Sequence, residues 1–309
     1  METRDLEYVL AVGTHGGIGR AAEALGMTQP ALTKAIQRVE AQLGVPLFER
    51  TTMGMRATQA GTVFLERARR IRLEYDDASK EILSIQTGEK GLLRLGYSPS
   101  MPNALVLGAC QQLLRERPVA RLRLTMRVAR ELMDQVQAGE LDLAVAPLPR
   151  HANPALATRE LFTDRLAVVA DENHPLQRRR DLTLADLAGQ HWLLPTGHVL
   201  IRQQIDSAFA SAGLPAPMLR VETDFGSATL FDLVRGTEML CIAGSTTNSK
   251  RLGLRPIALR ADALDLGRRV GVMTRAGAYL SPLAQRMIDR KSTRLNSSHT
   301  DISRMPSSA

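Results

Sequence analysis

The chain has little of what most protein chemistry requires. Only two cysteines occur in 309 residues, Cys110 and Cys241, far apart and each among apolar neighbours. That excludes a disulfide-stapled scaffold and reads as two buried thiols in a reducing compartment, with a redox switch as the alternative. No apolar run approaches the ~18 residues of a membrane span. Glu2, Arg4, Asp5 and Glu7 precede any apolar stretch, which does not fit a signal peptide. The expectation is a soluble, cytoplasmic protein with no membrane partner. No HExxH, CxxC, GxSxG or P-loop pattern occurs, and His15, His151, His174, His191 and His198 lack metal-ligand spacing. No catalytic residue, metal or cofactor is therefore expected, and the chain does not read as an enzyme.

Charge is less informative than it looks. The formal net charge is +8, yet Met1 to Lys90 holds 12 Lys plus Arg against 12 Asp plus Glu. The excess lies downstream, as in Arg178, Arg179 and Arg180, which read as a solvated loop.

What is present is pattern. Gly19 to Leu43 reads as two short helices joined by a tight turn at Gly26. Thr28 is placed to cap the second helix and Pro30 lies in its first turn. Leu32, Ala35, Ile36, Val39 and Leu43 form one apolar stripe, and Gln29, Pro30, Thr33, Lys34, Gln37 and Arg38 form the opposite face. Amides, a hydroxyl and two cations are the groups that read base edges and hold phosphates, so a helix-turn-helix entering a major groove is the natural reading. A helical hairpin within some larger core remains the plainer alternative. Leu6, Val9, Leu10 and Val12 give an amphipathic helix able to pack behind it. Leu47 to Arg50 and Met55 to Ala57 pair as a hairpin across Thr51 to Gly54, a wing that places Arg50 and Arg56 near backbone or minor groove.

From Gln59 to Gln86 no proline occurs, and Phe64, Ala68, Ile71, Tyr75, Ala78, Ile82 and Ile85 recur at steps of four and three. That is a heptad seam, which needs a partner helix: a second copy of the chain, or the rest of its own. Thr87 to Gly91 then reads as a domain boundary. Beyond it strands and helices alternate, which predicts a parallel α/β sheet. Strands are expected at Leu92–Tyr97, Arg121–Val128, Leu141–Ala146, Arg165–Ala170, around Trp192 and at Gly267–Thr274.

The segment AAEALGMTQPALTKAIQRVEAQLGVPLFER, followed by ATQAG, resembles the winged helix-turn-helix of LysR-type transcriptional regulators. The resemblance extends through GELDLAVAP, LAVVADENHPL and LADLAG. It departs at Gly17-Ile18, where Ser-Phe is usual, and at Met53, where a basic residue often sits. It implies an α/β fold class with an all-α and winged N-terminal part. A winged head spans 1–58, a linker helix and hinge for dimerisation 59–90, and an effector-binding domain 91–288. That domain resembles a periplasmic binding protein, with subdomain I at about 91–160 and 268–288 and subdomain II at about 161–267. The crossings fall near Glu160 to Thr163 and Leu266 to Gly271. Residues 289–309, of unlike composition, read as a non-native, adapter-derived tail in place of the true C-terminus.

The implied partners are double-stranded DNA carrying a dyad site, a small-molecule effector and the chain itself as a homodimer or homotetramer. By family position the effector cleft is lined by Ser98, Ser100 and Met101, by Thr196, Gly197, His198 and Arg202, and by Gly226 and Ser227. At Ala129, where the family often has a hydroxyl, that hydrogen bond is missing. Hydroxyls, a histidine and an arginine around helix N-termini suggest a carboxylate, though helix capping alone also explains Ser98 and Ser100.

Overall fold

The computed structural model describes residues 1–52, 54–87, 91–101, 103–224, 228–244 and 253–289. The chain divides into two compact units, one ending at Gln86 and one beginning at Thr87.

The first unit begins with α1 (Thr3–His15), whose N-terminus is tied by the Glu2 N–H donating to the Asp5 carboxylate at 2.8 Å. α2 (Ile18–Ala24) and α3 (Gln29–Leu43) follow, joined through a turn at Gly26. Leu32, Ile36 and Val39 of α3 pack with Val9 and Val12 of α1 and with Ala21 and Ala22 of α2. Leu43, expected in the same stripe, is instead 39% exposed because α3 ends there and the chain turns away at Gly44. The hairpin β1 (Phe48–Thr51) and β2 (Gly54–Ala57) closes the unit, antiparallel as expected.

α4 (Gln59–Thr87) leaves the hairpin at Thr58, whose hydroxyl accepts the Gly61 N–H at 2.9 Å and donates to the Pro46 carbonyl at 2.8 Å. A Cβ at Gly61 would sit 1.9 Å from the Leu47 carbonyl oxygen. Glycine is thus what lets the long helix start against the wing.

In the second unit β3 (Leu92–Tyr97), α5 (Asn103–Glu116), β4 (Arg121–Met126), α6 (Ala129–Gln137) and β5 (Leu143–Pro147) follow in turn. The long strand β6 (Leu156–Asp171) leads on to β7 (His191–Pro195), α7 (Leu200–Ser211), β8 (Met218–Thr223) and β9 (Met239–Gly244). Short β10 (Leu254–Pro256), β11 (Gly267–Arg275) and α8 (residues 282–289) complete it. The nine strands form one sheet in the order β4-β3-β5-β11-β6-β9-β7-β8, with β10 also on β6.

The expectation of a parallel sheet holds for β3 with β4 and β5, and for β7 with β8 and β9. It fails in the middle. β11 runs antiparallel to both β5 and β6, and β6 antiparallel to β9. The chain leaves one half along β6 and returns along β11, so these two strands must pass in opposite directions. They pair from Gly267 opposite Arg165 to Arg275 opposite Leu156, with a bulge at Val270 and Gly271. A side chain at Gly271 would meet the Arg159 carbonyl oxygen at 2.4 Å, so the bulge needs glycine.

Two cores flank the crossing. One gathers Leu93, Leu95, Val106, Leu113, Val145 and Met287; the other gathers Trp192, Leu194, Ile205 and Phe209, with the two rings edge to face at 6.5 Å. Cys110 lies in the first and Cys241 in a smaller neighbouring cluster. Asp289, expected at the start of the foreign tail, ends α8 and pairs with Arg159 at 3.1 Å; residues 290–309 lie outside the described residues.

Candidate nucleic-acid interface and ligand cavity

α3 is capped by the Thr28 hydroxyl, which accepts the Ala31 N–H at 3.4 Å. Once Leu32, Ala35, Ile36 and Val39 are buried, helical geometry turns Gln29, Pro30, Lys34, Gln37 and Arg38 to solvent, with Thr33 half-buried between them. The Thr33 hydroxyl donates to the Gln29 carbonyl at 2.9 Å, leaving its oxygen lone pairs outward. Glu40, the one acid of α3, is turned the other way. Its carboxylate accepts the N–H groups of Leu47 and Phe48 at 2.7 and 3.1 Å, which joins α3 to the wing and leaves the exposed face without negative charge.

Arg38 has a partner within the protein. Its guanidinium is paired with Asp5 of α1, which is 3% exposed. Burial opposes ionisation of Asp5, but the Glu2 N–H and the Arg38 hydrogen bond and charge outweigh it and hold its carboxyl below the usual range. Arg38 is therefore tethered to α1 while its side chain stays 56% exposed.

On the wing, Glu49 pairs with Arg56 and Arg50 with Met55. Side chains alternate along a strand, so Arg50 and Arg56 lie on opposite faces of the hairpin although both are exposed. One duplex backbone cannot meet both through the same face. Met53 lies outside the described residues.

The seam of α4 divides in two. Phe64 packs on the head core and Ala68 is buried, while Ile71, Tyr75, Ala78, Ile82 and Ile85 are exposed, Ile85 at 77%. Arg72 fixes the helix to the head through Glu7 at 2.8 Å.

In the second unit a cavity of about 510 Å³ lies where the two subdomains meet at the crossing strands. Ser98 and Ser100 line it from the loop after β3, Ala129 from the start of α6, and His198 from the loop before α7. The hydroxyls of Ser98 and Ser100 are 2.9 Å apart and hydrogen-bonded, and the His198 ring lies 3.1 Å from the Thr196 hydroxyl. Ala129 brings only a methyl group.

Other expected positions lie elsewhere. Met101 is buried in the first core; Thr196 and Gly197 do not reach the lining. Arg202 is turned away, its Nε on Asp206 at 2.8 Å and its Nη1 on the Pro195 carbonyl at 3.3 Å. Gly226 and Ser227 lie outside the described residues. The cavity's cations are instead Arg130, Arg150, Arg268 and Arg269, which the sequence reading missed. The arginine pair that opens the returning strand was the available signal. Among the described residues no group of three His, Cys, Asp or Glu is placed to hold a metal. No described helix is long and apolar enough to cross a membrane.

The chain matches the family model for the LysR substrate binding domain over residues 86–294, and that for the bacterial regulatory helix-turn-helix protein, lysR family, over residues 3–62. It is 28% identical to the uncharacterized HTH-type transcriptional regulator YybE of Bacillus subtilis (strain 168), over 92% of this chain and 96% of that protein. It is 32% identical to the hydrogen peroxide-inducible genes activator of Pectobacterium carotovorum subsp. carotovorum, over 68% of this chain and 69% of that one. The crystal structure of full-length CbnR complexed with its target DNA shares the fold, with a TM-score of 0.57 at 23% identity, covering 94% of this chain and all of that one.

Proposed function

We propose, from the premise that the chain belongs to the LysR family of bacterial transcriptional regulators, that the exposed face of α3 reads DNA and that the cavity at the crossing strands receives a small effector. The family is one of regulators, not of enzymes. The observation that carries the DNA reading is the division of α3: an apolar face buried from Leu32 to Val39, and an opposite face of amides, a hydroxyl and Lys34 with no acid on it. Gln29, Thr33 and Gln37 match the donor and acceptor needs of base edges, and Lys34 that of a phosphate. Arg50 and Arg56 serve the wing from its two faces. Pro30 fits the first turn, where its missing N–H costs no helical hydrogen bond.

The exposed half of the α4 seam, Ile71 to Ile85, supports a homodimer, which places two such faces for the two halves of a dyad site. The reading is of a cytoplasmic protein organised as a head to about residue 58, a dimerising linker to about 90 and an effector domain to about 288. Differential affinity of an effector for two subdomain arrangements would then bias the DNA-bound form.

For the effector, a cavity lined by four arginines with apolar walls between them supports a small carboxylate. A peroxide signal is less well supported. Burial pushes the Cys241 thiol up to about 12, and Cys110 is buried in the first core, whereas reactive thiols are exposed and acidic.

The experiment is a gel shift and footprint on DNA upstream of the gene, with the full chain. Protection of a long dyad site, lost in Thr33→Ala combined with Lys34→Ala, is the expected result. Salt-insensitive or sequence-indifferent binding would overturn the reading.

A further inference from the structure

Arg268 lies near the start of β11, directly opposite Asp164 of β6 across the two crossing strands. Its Nε and Nη2 donate to Asp164 Oδ2 at 3.0 and 2.7 Å, and Nη2 also donates to the Ser100 carbonyl at 2.9 Å. The pair is well enclosed, with side chains 12% and 4% exposed. A guanidinium carries five N–H groups. These contacts use the one on Nε and both on Nη2, so the two on Nη1 bond nothing among the described residues.

Arg268 lines the cavity beside Ser100, and Nη1 is the part of its guanidinium that these contacts leave unused. Neighbouring Arg269 is engaged differently, on the Pro149 carbonyl at 3.1 Å and near Glu160. Arg130 and Arg150 are exposed at the rim, where holding a long side chain on a ligand loses rotamer freedom. Arg268 has already lost that freedom, which is the condition for tight and selective recognition.

We infer that Arg268 is the specificity-determining residue of this cavity, that its Nη1 edge takes a carboxylate of the ligand, and that Asp164 is its positioning residue. Met133, Leu148 and Ile201 supply apolar wall, so the ligand class is a carboxylate on an apolar body. The inference rests on the reading of the cavity as the effector site.

Calorimetry on the full chain tests it, with benzoate and hexanoate as probes and their uncharged amides, benzamide and hexanamide, as controls. Wild type binds an acid more tightly than its amide. Arg268→Gln combined with Asp164→Asn removes both charges together, so no buried ion is left unpaired and the fold is kept, as a melting curve checks. That variant loses acid affinity by about 10- to 100-fold and loses the preference for acid over amide. Asp164→Asn alone raises the local positive charge, so a fall in acid affinity marks positioning, and a rise overturns that role. Met133→Trp fills the cavity and weakens acid and amide alike. Acid preference that survives in the double variant overturns Arg268 and leaves the cavity reading standing. Acid binding untouched by Met133→Trp sinks the cavity reading itself. Wild type that binds neither acid overturns the carboxylate assignment.

Discussion

Arg38 of α3 and Asp5 of α1 form an ion pair across 33 positions of sequence, and it joins α3 to the helix behind it. Asp5 also accepts the Glu2 N–H, so one buried carboxylate both ties off the start of α1 and fixes the edge of α3. Lys34, one turn earlier, and Gln37, the residue just before Arg38, have no such tether among the described residues.

The pairing predicts that Arg38 acts on DNA affinity through orientation rather than as a counterion. Arg38→Gln should weaken specific binding while the slope of log affinity against log salt stays unchanged, whereas Lys34→Ala should flatten it by about 0.9. Asp5→Asn should reproduce the Arg38→Gln loss, and the double variant should add nothing further, since the two residues share one interaction. A flattened slope in Arg38→Gln would return that residue to the phosphate contacts.

Acid should loosen the chain through aspartates held low, among them Asp171, Asp186 and Asp5. The carboxyl of Asp171 is held low by the N–H groups of Gly236 and Asn173, at 2.7 and 2.9 Å. That of Asp186 is lowered to about 2 by the N–H and hydroxyl of Thr183 and by Arg179; Asp5 is lowered as described above. A group held below its unfolded value of about 3.9 binds fewer protons when folded, so its stabilisation is complete above that value and is lost as pH falls through the folded one. The melting temperature should therefore drop steeply from about pH 4 downward. Asp171→Asn should start lower at neutral pH and fall less over the same interval.

Local interactions were legible in the sequence and distant ones were not. The helix-turn-helix rests on period, on Thr28 and on Gly26, all within a few residues of each other, and the hairpin on apolar pairs flanking a short turn. Arg202 looked like a ligand group because it follows a strand and opens a helix; the acid that holds it away, Asp206, is one turn further on, and Glu222 lies across the sheet. Arg268 was missed for the converse reason. Its partner Asp164 is 104 positions earlier, and only the antiparallel passing of β6 and β11 brings them together. Alternation predicts a parallel sheet, and the return of the chain along β11 is a tertiary fact with no local signature.

The α4 seam predicts a specific oligomeric defect. Ile71, Tyr75 and Ile82 are at least half exposed, and no described part of the chain covers them. Ile82→Glu places a charge in the seam without touching the head core, and should shift the chain to monomer by sedimentation at micromolar concentration. The same variant should protect only half of the wild-type footprint. Phe64→Ala, in contrast, should lower the melting temperature of the head, because that seam position is already part of the intramolecular core.

Peroxide should leave the DNA-binding behaviour unchanged. At neutral pH a thiol pushed up to about 12 is almost wholly protonated, and the thiolate is the form that attacks peroxide. Cys241 is fully buried on β9 and Cys110 is 4% exposed inside the other core, so neither can meet the oxidant without local opening, and the two lie in different clusters. Intact mass after brief treatment with micromolar peroxide should show both cysteines unmodified, and the footprint should match that of untreated protein. A peroxide-shifted footprint that disappears in Cys241→Ser or Cys110→Ser would mean that one core opens readily in the native state. The effector would then have to be sought in redox chemistry, and the arginine-lined cavity reread as a hinge.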